Sequence, residues 1–401
     1  MIAVEEAEKI VFQNLLHSKS ELVPIEEAVG CVLNEDIIAD RDFPPFNRVM
    51  MDGVAIDHHA WQEGIRKFKV EDMQPAGAAQ KKLSDKSYCM EVMTGAVLPQ
   101  NTDVVVRYED ITFTSREEVA INLDEVIPFQ NIHLRGTDRK KKEVLIGTGR
   151  KISAADIAVM ATVGKTHVNV LKTPRIAVVS TGDELVNIDQ SPHPYQIRKS
   201  NTYAITAALQ LLRCNSNNFH LEDSLEGVEK GLTDIFKTHD VVILSGGVSK
   251  GKKDYVPDVL EKLKVEKLFH KIKQRPGKPF WFGKRSDDKI VFALPGNPVS
   301  TFMCFYKYVK PWLQMSAGLP ASTTYAKLKA DFSFPPALTY FLQVRVSSDE
   351  SGGLIAEPVK GQGSGDLANL LEADAFLQLP ESEKEFKAGE AYPLFLYRDV
   401  L

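Results

Sequence analysis

The sequence predicts a multidomain α/β protein, with a doubly wound α/β domain, a β-rich insertion domain, a small mixed domain and a C-terminal β-barrel-like domain. Its 401 residues exceed the roughly 250–300 at which a single hydrophobic core stops growing, so several domains are expected. Near-continuous apolar runs begin at Arg175, Asp240 and Lys289 and are typical of strands buried on both faces. Helical patterns over 202–213 and 255–263 lie between them, and this alternation predicts the doubly wound domain.

The segments before residue 172 combine helical and strand patterns. Apolar residues recur at helical spacing over 4–16, which predicts an N-terminal helix. The paired prolines of RDFPPFNRVMMDG disfavour helix in the loop that follows. Short β-like runs separated by turn residues over 54–135 predict a small β-rich domain, and a helix is expected from about 154 to 163.

After residue 320 the alternation of apolar and polar residues becomes typical of strands again. The runs Tyr340–Val346 and Leu354–Val359 flank a turn at Gly352-Gly353. These features predict that the C-terminal 80 or so residues form a small all-β domain.

The composition is that of a globular protein, with 43% hydrophobic and 26% charged residues. The formal net charge of -5 argues against a general nucleic-acid binder, whose surface is usually strongly basic, but permits a local cluster of cations. The N-terminus, MIAVEEAEKI, has acids where a signal peptide has bases, and no run approaches the roughly 18–20 apolar residues that span a bilayer. We therefore expect a soluble cytoplasmic protein with neither a membrane nor a nucleic-acid partner.

The cysteines and histidines suggest no chemistry by their spacing. The four cysteines lie far apart and form no C-x-x-C pair, which disfavours a zinc site or a disulfide framework. The nine histidines include no H-E-x-x-H pattern, so they predict no metal site.

Three predicted strands of the α/β domain each end in a distinctive loop. These loops are Thr181–Glu184, Gly246–Tyr255 and Pro295–Pro298. In open parallel sheets ligands bind beyond the carboxyl ends of the strands, so we expect the three loops to face one pocket.

The loop after the second strand, SGGVSKGKKDY, has the glycines and cations of an anion site. Gly246 and Gly247 permit close backbone approach, and free N–H groups before a helix favour a negative ligand. The segment fits G-x-x-x-x-G-K, but Lys253 stands where a P-loop needs Ser or Thr, so a P-loop NTPase is rejected. Anion binding is favoured over a plain strand-to-helix turn carrying the solvated lysines Lys250, Lys252 and Lys253.

A stiff cationic turn and several carboxylates complete the candidate pocket. In RPGKP the cations Arg275 and Lys278 are held by two prolines and a glycine, which suits either an oxyanion site or a rigid surface turn. The acids Asp183, Glu184 and Asp254 follow strand ends or the glycine loop, where carboxylates commonly hold magnesium. Each could equally cap a helix or form an ion pair.

Taken together, these motifs resemble the molybdopterin molybdotransferase family, which includes MoeA and the gephyrin E domain. The resemblance covers nearly the whole chain, and the motifs occur in the family's order. They are PPFNRVMMDGVA, VMTGAVLPQNTDVVV, NIHLRGTD, STGDEL, SGGVSKGKKDY, RPGKPFWFG and LPGNPVS.

The resemblance implies a reaction and a set of site residues. Adenylylated molybdopterin and molybdate bind side by side, the adenylate is hydrolysed with a divalent ion such as Mg²⁺, and molybdenum joins the dithiolene with release of AMP. The implied catalytic residues are Asp52, Thr94, Asp138, Glu184 and Asp254. The implied metal ligands are Asp183, Glu184, Asp223 and Asp254. The implied substrate-binding residues are Gly246, Gly247, Ser249, Arg275, Lys278, Pro295 and Pro298.

The resemblance also implies domain boundaries and an assembly. A discontinuous N-terminal domain takes residues 1–45 and 138–172, a β-rich domain 46–137, the molybdopterin-binding α/β domain 173–318 and a C-terminal domain 319–401. The family's members are homodimers with the partner subunit contributing to the site, and a molybdopterin adenylyltransferase is a further expected partner.

Some positions depart from the family pattern. Arg48 and Val49 replace Asn and Ser, His133 replaces Arg, Lys199 replaces Asp, and Arg275 replaces Lys. The change at Lys199 and the pair Lys252-Lys253 favour an alternative, a non-catalytic molybdopterin-binding or scaffold protein on the same fold. A nucleotide-dependent enzyme of another pathway and a tungstate-inserting relative are further alternatives.

Overall fold

The computed structural model describes residues 1–248 and 255–400. They form two compact units, one of Met1–Asn34, Gly149–Ser153 and Val168–Leu401, the other of Glu35–Thr148 and Ala154–His167. The helices are α1 (Val4–Gln13), α2 (His58–Gln62), α3 (Ala154–Thr162), α4 (Asn201–Leu211), α5 (Leu225–Thr238), α6 (Val256–Lys262), α7 (Pro298–Cys304) and α8 (Lys310–Ser316), with π-helical Phe305–Val309 joining the last two. None of these described helices has both the length and the apolar character needed to cross a bilayer.

The strands before residue 172 include a six-stranded sheet in the second unit. The bounds are β1 (Ser20–Pro24), β2 (Ile37–Ile38), β3 (Arg48–Val49), β4 (Gly53–Ile56), β5 (Lys67–Gln74), β6 (Tyr88–Val92), β7 (Val104–Arg107), β8 (Ile111–Ser115), β9 (Glu118–Ile121), β10 (Ile132–His133), β11 (Val144–Ile146) and β12 (His167–Leu171). The sheet has the order β7-β4-β6-β5-β9-β8. Alternate residues of β4 enter two cores, Val54 and Ile56 one and Ala55 the other, so the predicted β-rich domain is confirmed.

The α/β part of the first unit contains a second six-stranded sheet. Its region supplies β13 (Ile176–Thr181), β14 (Leu185–Val186), β15 (Ile197–Arg198), β16 (Ser216–Leu221), β17 (Val241–Ser245), β18 (Val265–His270), β19 (Gln274–Arg275), β20 (Trp281–Arg285) and β21 (Ile290–Leu294). The order is β16-β13-β17-β21-β20-β18. The first four strands are parallel, whereas β20 runs antiparallel to both of its neighbours.

Helices cover both faces of this sheet. Ile176 and Val178 of β13 pack in one core with residues of α1, α4 and α7, whereas Ala177 and Val179 pack in another with α5 and α6. All residues of β13, β17 and β21 are buried, as expected for strands covered on both sides. The predicted doubly wound architecture is therefore confirmed.

The C-terminal segment closes into a barrel. Its strands are β22 (Thr324–Leu328), β23 (Phe332–Ser333), β24 (Thr339–Ser348), β25 (Leu354–Pro358), β26 (Ala375–Leu379), β27 (Glu385–Phe386) and β28 (Ala391–Leu396). The pairing β24-β25-β22-β28-β26 returns from β26 to β24, which gives a closed five-stranded barrel, as predicted. β19 of the α/β part pairs in parallel with β24, with Gln274 opposite Thr339 and Arg275 opposite Tyr340.

Candidate functional site

A cavity of about 980 Å³ lies at the carboxyl ends of β13, β17 and β21, where the three loops meet. Residues of the C-terminal barrel line it as well, including Tyr340, Gln343 and Ser364. The cavity brings together these sequence-predicted residues: Glu184, Asp223, Gly246, Gly247, Arg275, Lys278 and Pro295. Its position agrees with the general preference of open parallel sheets for ligands beyond their strand ends.

The turn after β19 presents two cations to this cavity. Arg275 and Lys278 are both exposed, and no carboxylate of the described residues lies within ion-pair distance of either. The guanidinium carbon of Arg275 lies 5.9 Å from the ring centre of Phe334. The Lys278 carbonyl accepts hydrogen bonds from Ile272 N at 3.0 Å and Phe280 N at 3.1 Å, which hold the backbone at Lys278 in place.

The glycine turn after β17 requires its glycines. Gly246 and Gly247 have φ angles of +100° and +68°, which residues with a side chain rarely adopt. A Cβ at Gly247 would lie 2.8 Å from Val256 Cγ2. The backbone can therefore approach a ligand closely here. The predicted residues Ser249 and Asp254, and the lysines Lys250, Lys252 and Lys253, lie outside the described residues.

Three predicted carboxylates follow the ends of β13 and β16. Glu184 and Asp223 line the cavity, and Asp183 Oδ1 accepts the Asp223 N–H at 3.4 Å. Within residues 1–248 and 255–400, no group of three His, Cys, Asp or Glu side chains is arranged to hold a metal ion by itself. Magnesium usually takes only one or two carboxylates and completes its shell with substrate phosphates and water, so Glu184 and Asp223 fit an ion that arrives with a phosphate ligand.

In the second unit the structure joins Asp52 and Thr94. Asp52 Oδ1 accepts hydrogen bonds from Thr94 N at 2.6 Å and Thr94 Oγ1 at 2.8 Å. These bonds, the backbone one first, lower the pKa of Asp52 below its usual value. The carboxylate is exposed and ionised at neutral pH, so it is available as a base or an anionic ligand.

Asp138, in the same unit, is held by two of the residues that depart from the family pattern. His133 Nε2 lies 2.8 Å from Asp138 Oδ1, and Arg48 Nη2 lies 3.0 Å from His133 Nδ1. Because a guanidinium only donates, Nδ1 must accept and Nε2 must carry the proton that it donates to Asp138. Arg48 and His133, opposite one another across β3 and β10, therefore form one chain of hydrogen bonds that ends on Asp138.

Two other predicted positions lie away from the cavity lining. Pro298 is the first residue of α7 and does not contribute to the cavity wall. Lys199, the charge reversal, donates from Nζ to Asn187 Oδ1 at 2.9 Å.

Sequence reasoning missed the residues that the barrel contributes. Ser364 Oγ accepts from Asn297 Nδ2 at 2.7 Å, and the Ser364 carbonyl accepts from Val299 N at 3.1 Å. These bonds join the barrel to the third predicted loop, far away in sequence. No local pattern around Tyr340, Gln343 or Ser364 indicates a ligand, so no sequence signal could have found them.

Family models match three regions that together cover most of the chain. Residues 2–164 match the model of the MoeA N-terminal region (domain I and II), residues 177–315 that of a probable molybdopterin binding domain, and residues 325–394 that of the MoeA C-terminal region (domain IV).

Curated relatives and solved structures of similar length also match. A molybdopterin molybdenumtransferase of Synechocystis is 37% identical, covering 99% of this chain and 100% of the relative, and one of Staphylococcus epidermidis is 32% identical, covering 98% and 95%. The crystal structure of a molybdopterin biosynthesis MoeA protein from Pyrococcus horikoshii covers 100% of both chains with a TM-score of 0.85 and 29% identity. This chain therefore belongs to the MoeA family of molybdopterin molybdenumtransferases, enzymes of molybdenum cofactor biosynthesis.

Proposed function

We propose that this enzyme inserts molybdate into adenylylated molybdopterin, with hydrolysis of the adenylate and release of AMP, to form molybdenum cofactor. The observation that carries the proposal is the cavity itself, which is lined both by Arg275 and Lys278 and by the carboxylates Glu184 and Asp223. The two cations suit a small dianion, and the two carboxylates suit a phosphate-bound cation. The glycine turn at Gly246 also lines the cavity and permits close backbone approach to a ligand.

In this proposal the turn that carries Arg275 and Lys278 binds the molybdate. Molybdate is a tetrahedral dianion, and Arg275 and Lys278 have no carboxylate partner among the described residues to neutralise them. Two cations fixed on one short backbone segment lose little entropy when they close on the oxyanion. Ser249, which lies outside the described residues, is a further proposed ligand.

The carboxylates would hold Mg²⁺ against the pyrophosphate of the adenylate. Glu184 and Asp223 line the cavity and are the proposed ligands, together with Asp183, which precedes Glu184 in sequence, and Asp254, which lies outside the described residues. When bound, the ion would neutralise the charge of the phosphates. Asp52, Thr94 and Asp138 are proposed catalytic residues, and the ionised Asp52 is suited to accept a proton from water.

Reconstitution with purified protein tests this function directly. With adenylylated molybdopterin, molybdate and Mg²⁺, we expect AMP release together with mature cofactor. Lys278→Ala should raise the half-saturating molybdate concentration by at least about tenfold, as expected for loss of a charge-assisted contact of about 1.4 kcal/mol or more. Unaltered circular dichroism and thermal unfolding would show that the fold is intact.

The same assay separates the alternatives. Tight binding of molybdopterin without any AMP release would favour the scaffold protein, for which Lys199 and Lys252-Lys253 are the supporting features. Replacing molybdate by tungstate in parallel reactions would identify the preferred oxyanion, since the two dianions have nearly the same size and charge.

The assembly is part of the proposal. We propose a homodimer with the active site near the subunit interface, and a molybdopterin adenylyltransferase as the source of the adenylylated substrate. Sedimentation of the purified protein at micromolar concentration should give the mass of two chains. A single 44.7 kDa species throughout the concentration range would contradict the dimer.

A further inference from the structure

We propose that Gln274 and Tyr308 are positioning residues that hold the Arg275–Lys278 turn in the shape that binds the oxyanion. The proposal rests on the proposed function of that turn. Gln274 is 1% exposed and Tyr308 0%, so both polar groups lie in the core directly beneath the two cations. A buried polar side chain is costly unless its hydrogen bonds are satisfied, and these two satisfy each other.

The orientation of the Gln274 amide follows from its neighbours. Its Nε2 lies 3.0 Å from the carbonyl oxygen of Gly277, and its Oε1 lies 2.5 Å from the Tyr308 hydroxyl. A carbonyl only accepts, so Nε2 must face Gly277, and Oε1 must accept the proton of Tyr308. Burial holds the pKa of Tyr308 well above its usual value, so the hydroxyl keeps that proton.

The Gly277 carbonyl is the point at which the core holds the turn. Gly277 has a φ of +90°, and a Cβ there would lie 2.7 Å from Cys304 Sγ and 2.8 Å from Gln274 Nε2. The turn therefore sits directly on the side chains below it. Because Gly277 lies between Arg275 and Lys278, a shift of its peptide would move one cation relative to the other.

Two further contacts hold the two ends of the turn. On one side Arg275 is tied to the barrel through the β19–β24 pairing opposite Tyr340. On the other side Lys278 is tied to the backbone of Ile272 and Phe280. Between them the Gly277 carbonyl accepts two side-chain hydrogen bonds, one from Gln274 Nε2 at 3.0 Å and a longer, weaker one from Cys304 Sγ at 4.0 Å. Gln274 therefore sets the relative placement of the two cations.

Two substitutions test the proposal. Gln274→Met keeps the volume of the side chain but removes its donor and acceptor, and Tyr308→Phe removes only the hydroxyl. We expect Gln274→Met to raise the half-saturating molybdate concentration about tenfold, with kcat at saturating molybdate changed by less than about threefold, because the loss falls on oxyanion binding. Tyr308→Phe should give a smaller rise of about threefold, and the double variant should be no worse than Gln274→Met alone, since both act through one peptide.

A control separates positioning from general destabilisation. Leu328→Ala removes a buried side chain of the barrel core that does not line the cavity, and should lower the melting temperature without changing molybdate dependence. Titration of each protein with sodium molybdate by calorimetry gives the same comparison without turnover. Wild-type protein that shows no dependence on molybdate would overturn the proposed function. Wild-type dependence retained unchanged in Gln274→Met, or an equal change in Leu328→Ala, would overturn the positioning role.

Discussion

At the scale of single residues, Asp52 shows how an exposed carboxylate can be held in its ionised form. The two donors of Thr94 reach the same oxygen, Oδ1, and both stabilise the charge. No cation takes part in this shift of the Asp52 pKa, so a charged substrate can approach without first displacing a salt bridge.

The residue-scale prediction is that Thr94→Val moves the pKa of Asp52 upward but not fully to its usual value. The hydroxyl is lost, whereas the backbone N–H, the larger cause of the lowered pKa, remains. Since Asp52 is proposed to act ionised, the acid limb of the kcat/KM profile should shift to higher pH in the variant.

Comparison of the pH–rate profiles of Thr94→Val and Thr94→Ser provides the check, because serine keeps the hydroxyl. An acid limb at the same pH in all three proteins would contradict the role of Asp52. The lowered pKa of Asp52 also affects the stability of the fold. The ionised carboxylate stabilises the folded state at neutral pH, and this stabilisation is lost as the pH falls through the pKa that Asp52 has in the folded protein.

Some residues of the site could be predicted from the sequence alone, and others could not. Lys278 and Glu184 occur beside turn residues or a strand end, so local patterns were sufficient to predict that they share a cavity. Gln274 and Gln343 are ordinary polar residues in strand-like segments, and only the fold reveals that one is buried and the other lines the cavity. The role of His133 depends on its partner Arg48, which lies on another strand.

At the scale of the elements, β4 depends on a glycine next to Asp52. A Cβ at Gly53 would lie 1.9 Å from the Val106 carbonyl oxygen, which belongs to the neighbouring strand β7. The two strands can pair at this point only because position 53 has no side chain.

We therefore predict that Gly53→Ala destabilises the protein by about 1–3 kcal/mol, the usual range for overpacking, and also lowers activity because Asp52 is displaced. Gly147→Ala is the matched control, since nothing lies within 4 Å of its Cβ and its φ is not positive. Chemical denaturation and AMP release would be measured for both. Equal stability of the two variants would contradict the close packing of β4 on β7.

Element types and most of their ends followed from local sequence, whereas the pairing partners of the strands did not. The apolar pattern over 4–16 predicted α1, which ends at Gln13 in the structure. The pattern over 255–263 predicted α6, which is observed at Val256–Lys262. The three apolar runs gave β13, β17 and β21 within one residue at each end. The antiparallel strands β18 and β20 were not predicted, because their place in the sheet is set by long-range pairing.

At the scale of the whole molecule, the proposed shared site makes a prediction about mixed dimers. At a molybdate concentration well below the half-saturating value of Lys278→Ala, Asp138→Asn and Lys278→Ala should each show little activity alone. If one subunit supplies Asp138 and the other Lys278, random mixing should restore about a quarter of the wild-type activity, because half of the dimers then carry one intact site of two.

The experiment requires subunit exchange, which differently tagged chains would demonstrate. A mixture of Lys278→Ala with Arg275→Ala is the control, since both residues belong to the same turn and no intact site can form. Lack of recovery in exchanged Asp138→Asn and Lys278→Ala dimers would show that each site is built within one chain.

The ladder between β19 and β24 has a consequence for how such enzymes can be rebuilt. It places a short piece of the α/β domain inside the hydrogen bonding of the barrel, with Arg275 directly opposite Tyr340. A chimaera joined at the boundary between these two folds would combine a turn from one parent with a barrel from another. A chimaera should therefore take both the turn and the barrel from the same parent if the oxyanion pocket is to be preserved.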